Sequence, residues 1–323
     1  MKITKQTIID AIYGVAIGDA VGVPFEFKSV ATMRAESPCK DMTGYGTFNL
    51  PEGTFSDDTS MTLAALEGIA EMQSETDYAA IMNKFCMWLD SGEYTVNGVF
   101  DVGNVCMKAI RKFRKGYHAH ECGGMDVSDN GNGSLMRIMP SVLYSLIKYG
   151  KIDDSLITHM SALTHGHCIA TTACIIYAKI AQFIIEHPSE FDVKMRAESL
   201  HKVIINVDIP DNADAAEAFA RIRNKEFCSL PINAIDSSGY VIHSLEAAVW
   251  CLANTDRYRD CILKAVNLGG DTDTTAAIAG GLAGLFYGVE GIPKTWVEKL
   301  RGKDIIDKAI HKFFTIIYNY EGV

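Results

Sequence analysis

The chain of 323 residues is 48% apolar and 22% charged, with a formal net charge of −10. That composition provides for a substantial core. The negative balance argues against nucleic acid as the primary partner, but it leaves room for a phosphate-bearing small molecule, because bound metal ions reverse a local field.

Apolar residues recur at three- and four-residue spacing over 6–22. The same helical period returns over 59–72, 77–90, 102–113, 134–149, 153–163, 168–186, 192–205, 211–223, 241–253, 256–267, 273–287 and 304–319. Convincing period-2 alternation is absent, so an isolated short strand is the most that is expected. Eight prolines punctuate the chain and no low-complexity linker divides it. These features predict one all-α domain over residues 1–323, a compact bundle of about a dozen helices. The longest uncharged runs, 168–178 and 274–289, are shorter than the about 20 residues that span a bilayer, so no membrane partner is expected. Nine scattered cysteines form no CxxC pair, which excludes a zinc ribbon. Together with an N-terminus that shows no signal-peptide pattern, they lead to the expectation of a reducing, cytoplasmic location.

Several segments between the helices have their own reading. Residues 25–55 form a loop rich in glycine and aromatic residues, of a kind that closes over ligands. The basic run 111–116 reads as a solvated helix face. Residues 118–124, with His118, His120 and Cys122, read as a loop near the mouth of a site. In 128–137, Gly131 and Gly133 permit turns with exposed N–H groups, and Ser134 is expected to open the next helix, an arrangement suited to anions. His165 and His167 lack the further His or Cys that a zinc centre needs. His165 reads as a hydrogen-bonded structural or pocket-lining residue, and His167 as peripheral. Gly280, Gly281 and Gly284 each weaken an isolated helix by about 1 kcal/mol. Close packing offsets such a cost, so 273–287 is expected at the centre of the bundle.

Two acidic phrases are the strongest chemical signal. Ser56 is a good N-cap with Asp57 and Asp58 in the first turn, where the helix dipole favours negative charge. In the second phrase Asp271 precedes a helix, Asp273 is its expected N-cap, and Thr274 and Thr275 follow. Each phrase carries more acid than capping requires, and each mixes carboxylates with hydroxyls. Oxygen-only sets of this kind suit Mg2+, Mn2+ or Ca2+ rather than zinc. Gly269 and Gly270 permit a close backbone approach. Carboxylates from both sides would hold two divalent ions about 3.5–4 Å apart. The "DTDTT" phrase also resembles that of haloacid-dehalogenase-type phosphatases, but no β/α alternation surrounds it here.

Six blocks, "GVAIGDAVGVPFEF" (14–27), "FSDDTSMTLA" (55–64), "DVGN" (101–104), "NGNGSLMRIMP" (130–140), "THGH" (164–167) and "GGDTDTTAAIAGGLAG" (269–284), occur in an order that resembles the ADP-ribosylglycohydrolase family. The resemblance implies an all-α fold, a centre of two divalent cations, Mg2+ or Mn2+, and hydrolysis of the bond joining the distal ribose of ADP-ribose to an acceptor. It implies Ser56, Asp57, Asp58, Asp271, Asp273 and Thr274 as metal ligands. Glu26, Asp57, Asp58 and Asp101 are the candidate acids and bases, their order left open. Gly103, Asn130, Gly131, Asn132, Gly133, Ser134, Met136 and His165 are the candidate substrate-binding residues, although Met136 reads rather as a core residue. Phe25, Tyr45, Phe48, Phe100 and Tyr240 are candidates for an adenine shelf. The implied partner is an ADP-ribosylated protein or ADP-ribose itself, with arginine favoured as the acceptor and serine second. The alternative is a silent ADP-ribose-binding or transferase-blocking protein.

Overall fold

The structure, a computed structural model, describes residues 3–35, 38–191 and 195–320. Its α-helices are α1 (Lys5–Gly22), α2 (Val30–Ala35), α3 (Asp57–Glu71), α4 (Tyr78–Ser91), α5 (Asn104–Arg114), α6 (Met139–Tyr149), α7 (Asp154–Ala162), α8 (Cys168–Glu186), α9 (Arg196–Ile205), α10 (Ala213–Ala220), α11 (Val241–Ala253), α12 (Tyr258–Val266), α13 (Thr272–Tyr287), α14 (Lys294–Lys299) and α15 (Lys303–Tyr320). Among the described residues, β pairing is limited to isolated bridges joining Gly124 to His165 and Gly131 to Tyr240. The fold is all-α and compact.

The centre is an antiparallel pair, α1 against α13, packed backbone to backbone. A Cβ placed on Gly14 would lie 2.3 Å from the Gly280 carbonyl oxygen, one on Gly18 would lie 2.1 Å from that of Ala276, and one on Gly22 would lie 2.3 Å from Asp273 Cα. Partner numbers fall as α1 numbers rise, which gives the antiparallel sense. The glycines that weaken α13 as an isolated helix are therefore what let it approach α1 this closely. Two hydrogen bonds fasten the seam: Tyr258 O–H donates to the Gly14 carbonyl at 2.6 Å, and Thr272 Oγ1 donates to the Gly22 carbonyl at 2.8 Å. The first turn of α13 is thus fixed beside the last turn of α1.

Lys5–Phe25 and α8 are long and apolar enough to cross a membrane by length and composition. Burial within the protein takes up 89% and 67% of their apolar windows. The uncharged run at 168–178 is therefore part of a longer helix than the run alone indicated.

The expected bounds hold for α8 and α11 and are corrected elsewhere. The helix expected over 134–149 begins only at Met139, with Pro140 in its first turn. The residues before it wind as turns, with the Met136 N–H bonded to the Asn132 carbonyl at 3.1 Å, so Ser134 opens no helix. The helix expected over 211–223 contracts to α10. Of the one expected over 192–205, residues 192–194 lie outside the described residues. Helices α2 and α14, six residues each, are too short to show a period.

Candidate active site

Three acidic phrases converge where α1 ends. Asp19 sits on an otherwise apolar stretch of α1 and is fully buried. It accepts from the Ser56 N–H at 2.9 Å and the Thr59 N–H at 3.0 Å, and from Thr59 Oγ1 at 2.6 Å. These bonds tie the start of α3 to α1. Ser56 is the N-cap of α3, its Oγ accepting from the Asp58 N–H. Asp58 Oδ2 accepts from Ser56 Oγ at 3.0 Å and from Thr274 Oγ1 at 3.2 Å. The early and late phrases, 216 residues apart in sequence, therefore touch.

The second phrase is set differently from the expectation. Asp271, not Asp273, occupies the N-cap position of α13, and Asp273 lies in its first turn. The two glycines before it have φ of +74° and +71°, a region glycine enters without strain. This turn is held by the 230s loop: the Asp271 N–H donates to the Ser237 carbonyl at 2.8 Å, and Ser237 Oγ donates to the Gly269 carbonyl at 2.6 Å. Asn132 Nδ2 donates to Asp271 Oδ2 at 2.8 Å, which couples the glycine loop to the acidic centre.

Carboxylate oxygens of Asp19, Asp58 and Asp273 lie within 4.8 Å of one another, and so do those of Glu26, Asp271 and Asp273. The two groups share Asp273. Asp58 Oδ1, Asp271 Oδ1, Asp273 Oδ2 and Glu26 Oε2 are buried without a hydrogen-bond partner. Among the described residues, no Lys or Arg forms an ion pair with Asp19, Glu26, Asp57, Asp58, Asp101, Asp271 or Asp273. Burial is the main cause that pushes every one of these carboxyls upward. Asp19 and Asp101 rise to about 6, Glu26 to about 9 with the charges of Asp101 and Asp271 adding, and Asp57, Asp58 and Asp273 stand well above the ordinary value. Asp271 is raised as well.

Five buried carboxyls and two half-buried ones, Asp101 and Asp271, with no counter-cation are costly unless cations join them. Orphaned oxygens of hard, anionic type are the donors that Mg2+, Mn2+ and Ca2+ take, so the residues present fit divalent cations. Of the expected ligands, Asp58, Asp271 and Asp273 carry free oxygens into the groups. Thr274 and Ser56 engage Asp58, and Asp57 faces the cavity. Asp19 and Glu26 join the groups, although Asp19 already accepts three hydrogen bonds and therefore acts chiefly as the anchor of α3.

A cavity of about 380 Å³ opens over this centre. It is lined by the expected residues Glu26, Asp57, Asp101, Gly103, Gly131, Asn132, Gly133, Met136, His165, Asp271 and Thr274, together with Phe27, Asn104, Val105, Cys106 and Gly239. Larger grooves near Val289 and Asp41 and at Ile69–Ile317 bring no unpartnered buried carboxyl oxygens together. A Cβ on Gly133 would lie 2.9 Å from both Cys106 Sγ and His165 Cε1, so the glycine keeps the cavity floor open. The His165 ring is buried, with Nδ1 2.8 Å from Thr164 Oγ1. Burial, aided by the Arg137 charge, lowers it to about 3, so it lines the cavity as a neutral ring.

Two expected substrate-binding residues do not line this cavity. Ser134 is fully buried, its Oγ accepting from Ser161 Oγ at 2.9 Å. Asn130 donates to the Val127 carbonyl at 3.0 Å and accepts from the Ala170 N–H at 3.2 Å. It borders a neighbouring depression of about 330 Å³, with Val127, Ser128, Gly131, Gly239 and Tyr240. His167 caps α8 by accepting from the Ile169 N–H. His118 and His120 are exposed, stack on each other at 6.0 Å and are not among the residues lining the cavity. Phe25 is buried in the core. The sequence reading missed Asp19, although an isolated acid on an apolar helix within the "GDAVG" block was visible. It also missed Ser237 and Gly239, for which "DSSGY" offers no distinguishing pattern.

The profile described as ADP-ribosylglycohydrolase matches residues 2–321. The chain belongs to the ADP-ribosylglycohydrolase family. It is 34% identical over 311 residues to a protein of Pseudomonas putida (strain GB-1) named ADP-ribosylarginine hydrolase Tri1, covering 94% of this chain and 76% of that one. It is 28% identical over 293 residues to the ADP-ribosyl-[dinitrogen reductase] glycohydrolase of Rhodospirillum rubrum, covering 90% and 89%. A solved structure described as an ADP-ribosylglycohydrolase-related protein complex superposes with a TM-score of 0.76 at 26% identity, covering 97% of this chain and 98% of that one. The chain is thus a glycohydrolase, and its centre suits that chemistry: departure of a group from a sugar leaves an oxocarbenium-like carbon, which nearby carboxylates stabilise.

Proposed function

We propose that this glycohydrolase releases ADP-ribose from arginine side chains of modified proteins, by hydrolysing the bond between C1 of the distal ribose and the guanidine nitrogen. The observation that carries the reading is the pair of carboxyl groups sharing Asp273, with four orphaned oxygens beneath one cavity. A pure ADP-ribose binder has no use for such a set. The arginine preference is supported by the 34% identity to a named arginine hydrolase; serine is the second choice. Two divalent cations, Mg2+ or Mn2+, are proposed for Asp58, Asp271 and Asp273, with Ser56, Asp57, Thr274 and Glu26 adjoining. When bound, they supply Lewis-acid fixation of the ribose hydroxyls and an acidified water.

The protein residues carry the remaining work. Gly131 and Gly133 present backbone to the diphosphate, on a turn that Asn132 steadies by donating its N–H to the Gly239 carbonyl at 3.0 Å. The depression that continues past Gly131 and Gly239 to Tyr240 takes the adenosine. Glu26, Asp57 and Asp101 line the cavity at the reacting carbon and serve as acid or base. The oxygen of one water bonds to C1, the C–N bond breaks, and the departing guanidine gains a proton. Action in a reducing cytoplasm is part of this proposal.

The test is release of ADP-ribose from an arginine-linked peptide, with EDTA and then with Mn2+ restored. Turnover should vanish and return. Release that persists after thorough chelation refutes the metal-dependent reading.

A further inference from the structure

Apart from the carboxyl centre, three rings lie in contact as a ridge, and one of them, Phe27, lines the cavity. Phe27 and Phe48 lie with ring centres 6.3 Å apart, and Phe48 and Phe100 with centres 5.0 Å apart. Phe27 directly follows Glu26 and Phe100 directly precedes Asp101, so the backbone that carries the outer two rings also carries two carboxyls that line the cavity.

The Phe27 side chain is 69% exposed although φ is 64°. That left-handed conformation is uncommon for a bulky residue and costs on the order of 1 kcal/mol or more. Asp101 shares it, with φ 53°. Both neighbours of Phe27 are pinned. The Phe27 N–H donates to the Gly270 carbonyl at 2.8 Å, and the Gly270 N–H donates back to the Lys28 carbonyl at 2.8 Å. Thr47 Oγ1 donates to the Glu26 carbonyl at 2.6 Å. A ring held in water on a strained, anchored backbone adds little to the core; its free face is available to a ligand. The depression proposed for adenosine adjoins the cavity through Gly131 and Gly239 and includes none of these rings, which leaves the ridge to the acceptor.

We propose that the Phe27–Phe48–Phe100 ridge, entered from the cavity through Phe27 and together with the lining carboxyls Glu26 and Asp101, grips the guanidinium of the acceptor arginine and so selects for it. This rests on the arginine reading above. A guanidinium is planar and weakly hydrated, stacks on aromatic faces and pairs with carboxylates. A serine hydroxyl gains nothing from such a surface.

The test compares wild type with Phe27→Leu, Phe100→Leu and Phe27→Tyr, each checked for an unchanged melting temperature. Three quantities are measured: kcat/KM on an arginine-linked ADP-ribosyl peptide, inhibition by agmatine, and Kd for ADP-ribose. The leucine variants should lose about tenfold in kcat/KM and in agmatine inhibition, with ADP-ribose affinity held and the tyrosine variant retaining function. Leucine variants that match wild type on peptide and agmatine overturn the ridge and leave the arginine reading standing. Equal losses of ADP-ribose affinity and peptide turnover overturn it too, by placing the rings in the nucleotide subsite. A wild type that cleaves serine-linked but not arginine-linked peptides removes the arginine reading, and the ridge's role with it.

Discussion

Helix α3 carries an acidic pair at each end, and the two are treated in opposite ways. At its C-terminal end Glu67 accepts from Lys312 at 2.8 Å and from Tyr94 at 3.3 Å. Glu71 pairs with Lys84 at 2.8 Å and also with Lys312. Burial pushes Glu71 up, yet its hydrogen bonds from Lys312 and Lys84 outweigh this and hold it below the ordinary range. At its N-terminal end Asp57 and Asp58 meet further acids, no base, and open oxygens. The same residue chemistry on one helix is structural where the protein supplies its own cation and, on the proposed reading, functional where it leaves that place to a ligand.

That contrast is broken most strongly by removing an N-terminal or partner acid. Asp58→Ala or Asp271→Ala should lower kcat by on the order of a thousandfold or more, while the melting temperature without metal stays level or rises, because an uncompensated buried charge is gone. A variant with near-normal turnover would show that these oxygens serve no catalytic ion.

Asp19→Asn keeps the shape but weakens the acceptor for Ser56 and Thr59. Outer partners of metal ligands are worth about 10- to 100-fold in metal affinity or activity, and a loss of that size is expected. It should be read from metal titration by calorimetry as well as from turnover. Unaltered metal affinity would reduce Asp19 to packing.

The two ends should also separate in pH. A carboxyl raised from 3.8 to about 6, as in Asp19 and Asp101, or from 4.5 to about 9, as in Glu26, favours folding while it holds its proton. That contribution is complete below about pH 4 and is lost as pH rises through the folded values. The melting temperature of metal-free protein should therefore fall between pH 5 and 9, and saturating Mn2+ should flatten the fall. A flat metal-free profile would contradict burial without counter-charge.

The smallest effect belongs to the satisfied end. Lys312→Met leaves Glu67 and Glu71 short of a cation at a half-exposed site. The expected loss is about 1–2 kcal/mol, a melting shift of a few degrees, with kcat unchanged. A loss of kcat in fully folded variant would join the two ends functionally.

Much of this was legible beforehand, for identifiable reasons. Helices α8 and α11 were bounded correctly because each is apolar and buried along most of its length, with His167 and Tyr240 at the entry. The acidic phrases were legible because two adjacent aspartates exceed what a cap uses. Helix α6 was misjudged because 134–138 has apolar residues at helical spacing, whereas the backbone turns so that Asn132 can reach Asp271 and Ser244. Periodicity records burial, and those residues are buried without being helical. The role of Asp19 depends on Ser56 and Thr59, about 40 positions away, a relation that no local pattern carries.

The seam between α1 and α13 also sets a timetable. Gly22 and Thr272 are 250 positions apart, so a ribosome has added that many residues after Gly22 before the two can meet. Pairings this distant form late. A chain interrupted before residue 271 carries Asp57 and Asp58 but neither Asp271 nor Asp273. On the proposed ligand set, the growing polypeptide has no complete centre until α13 emerges.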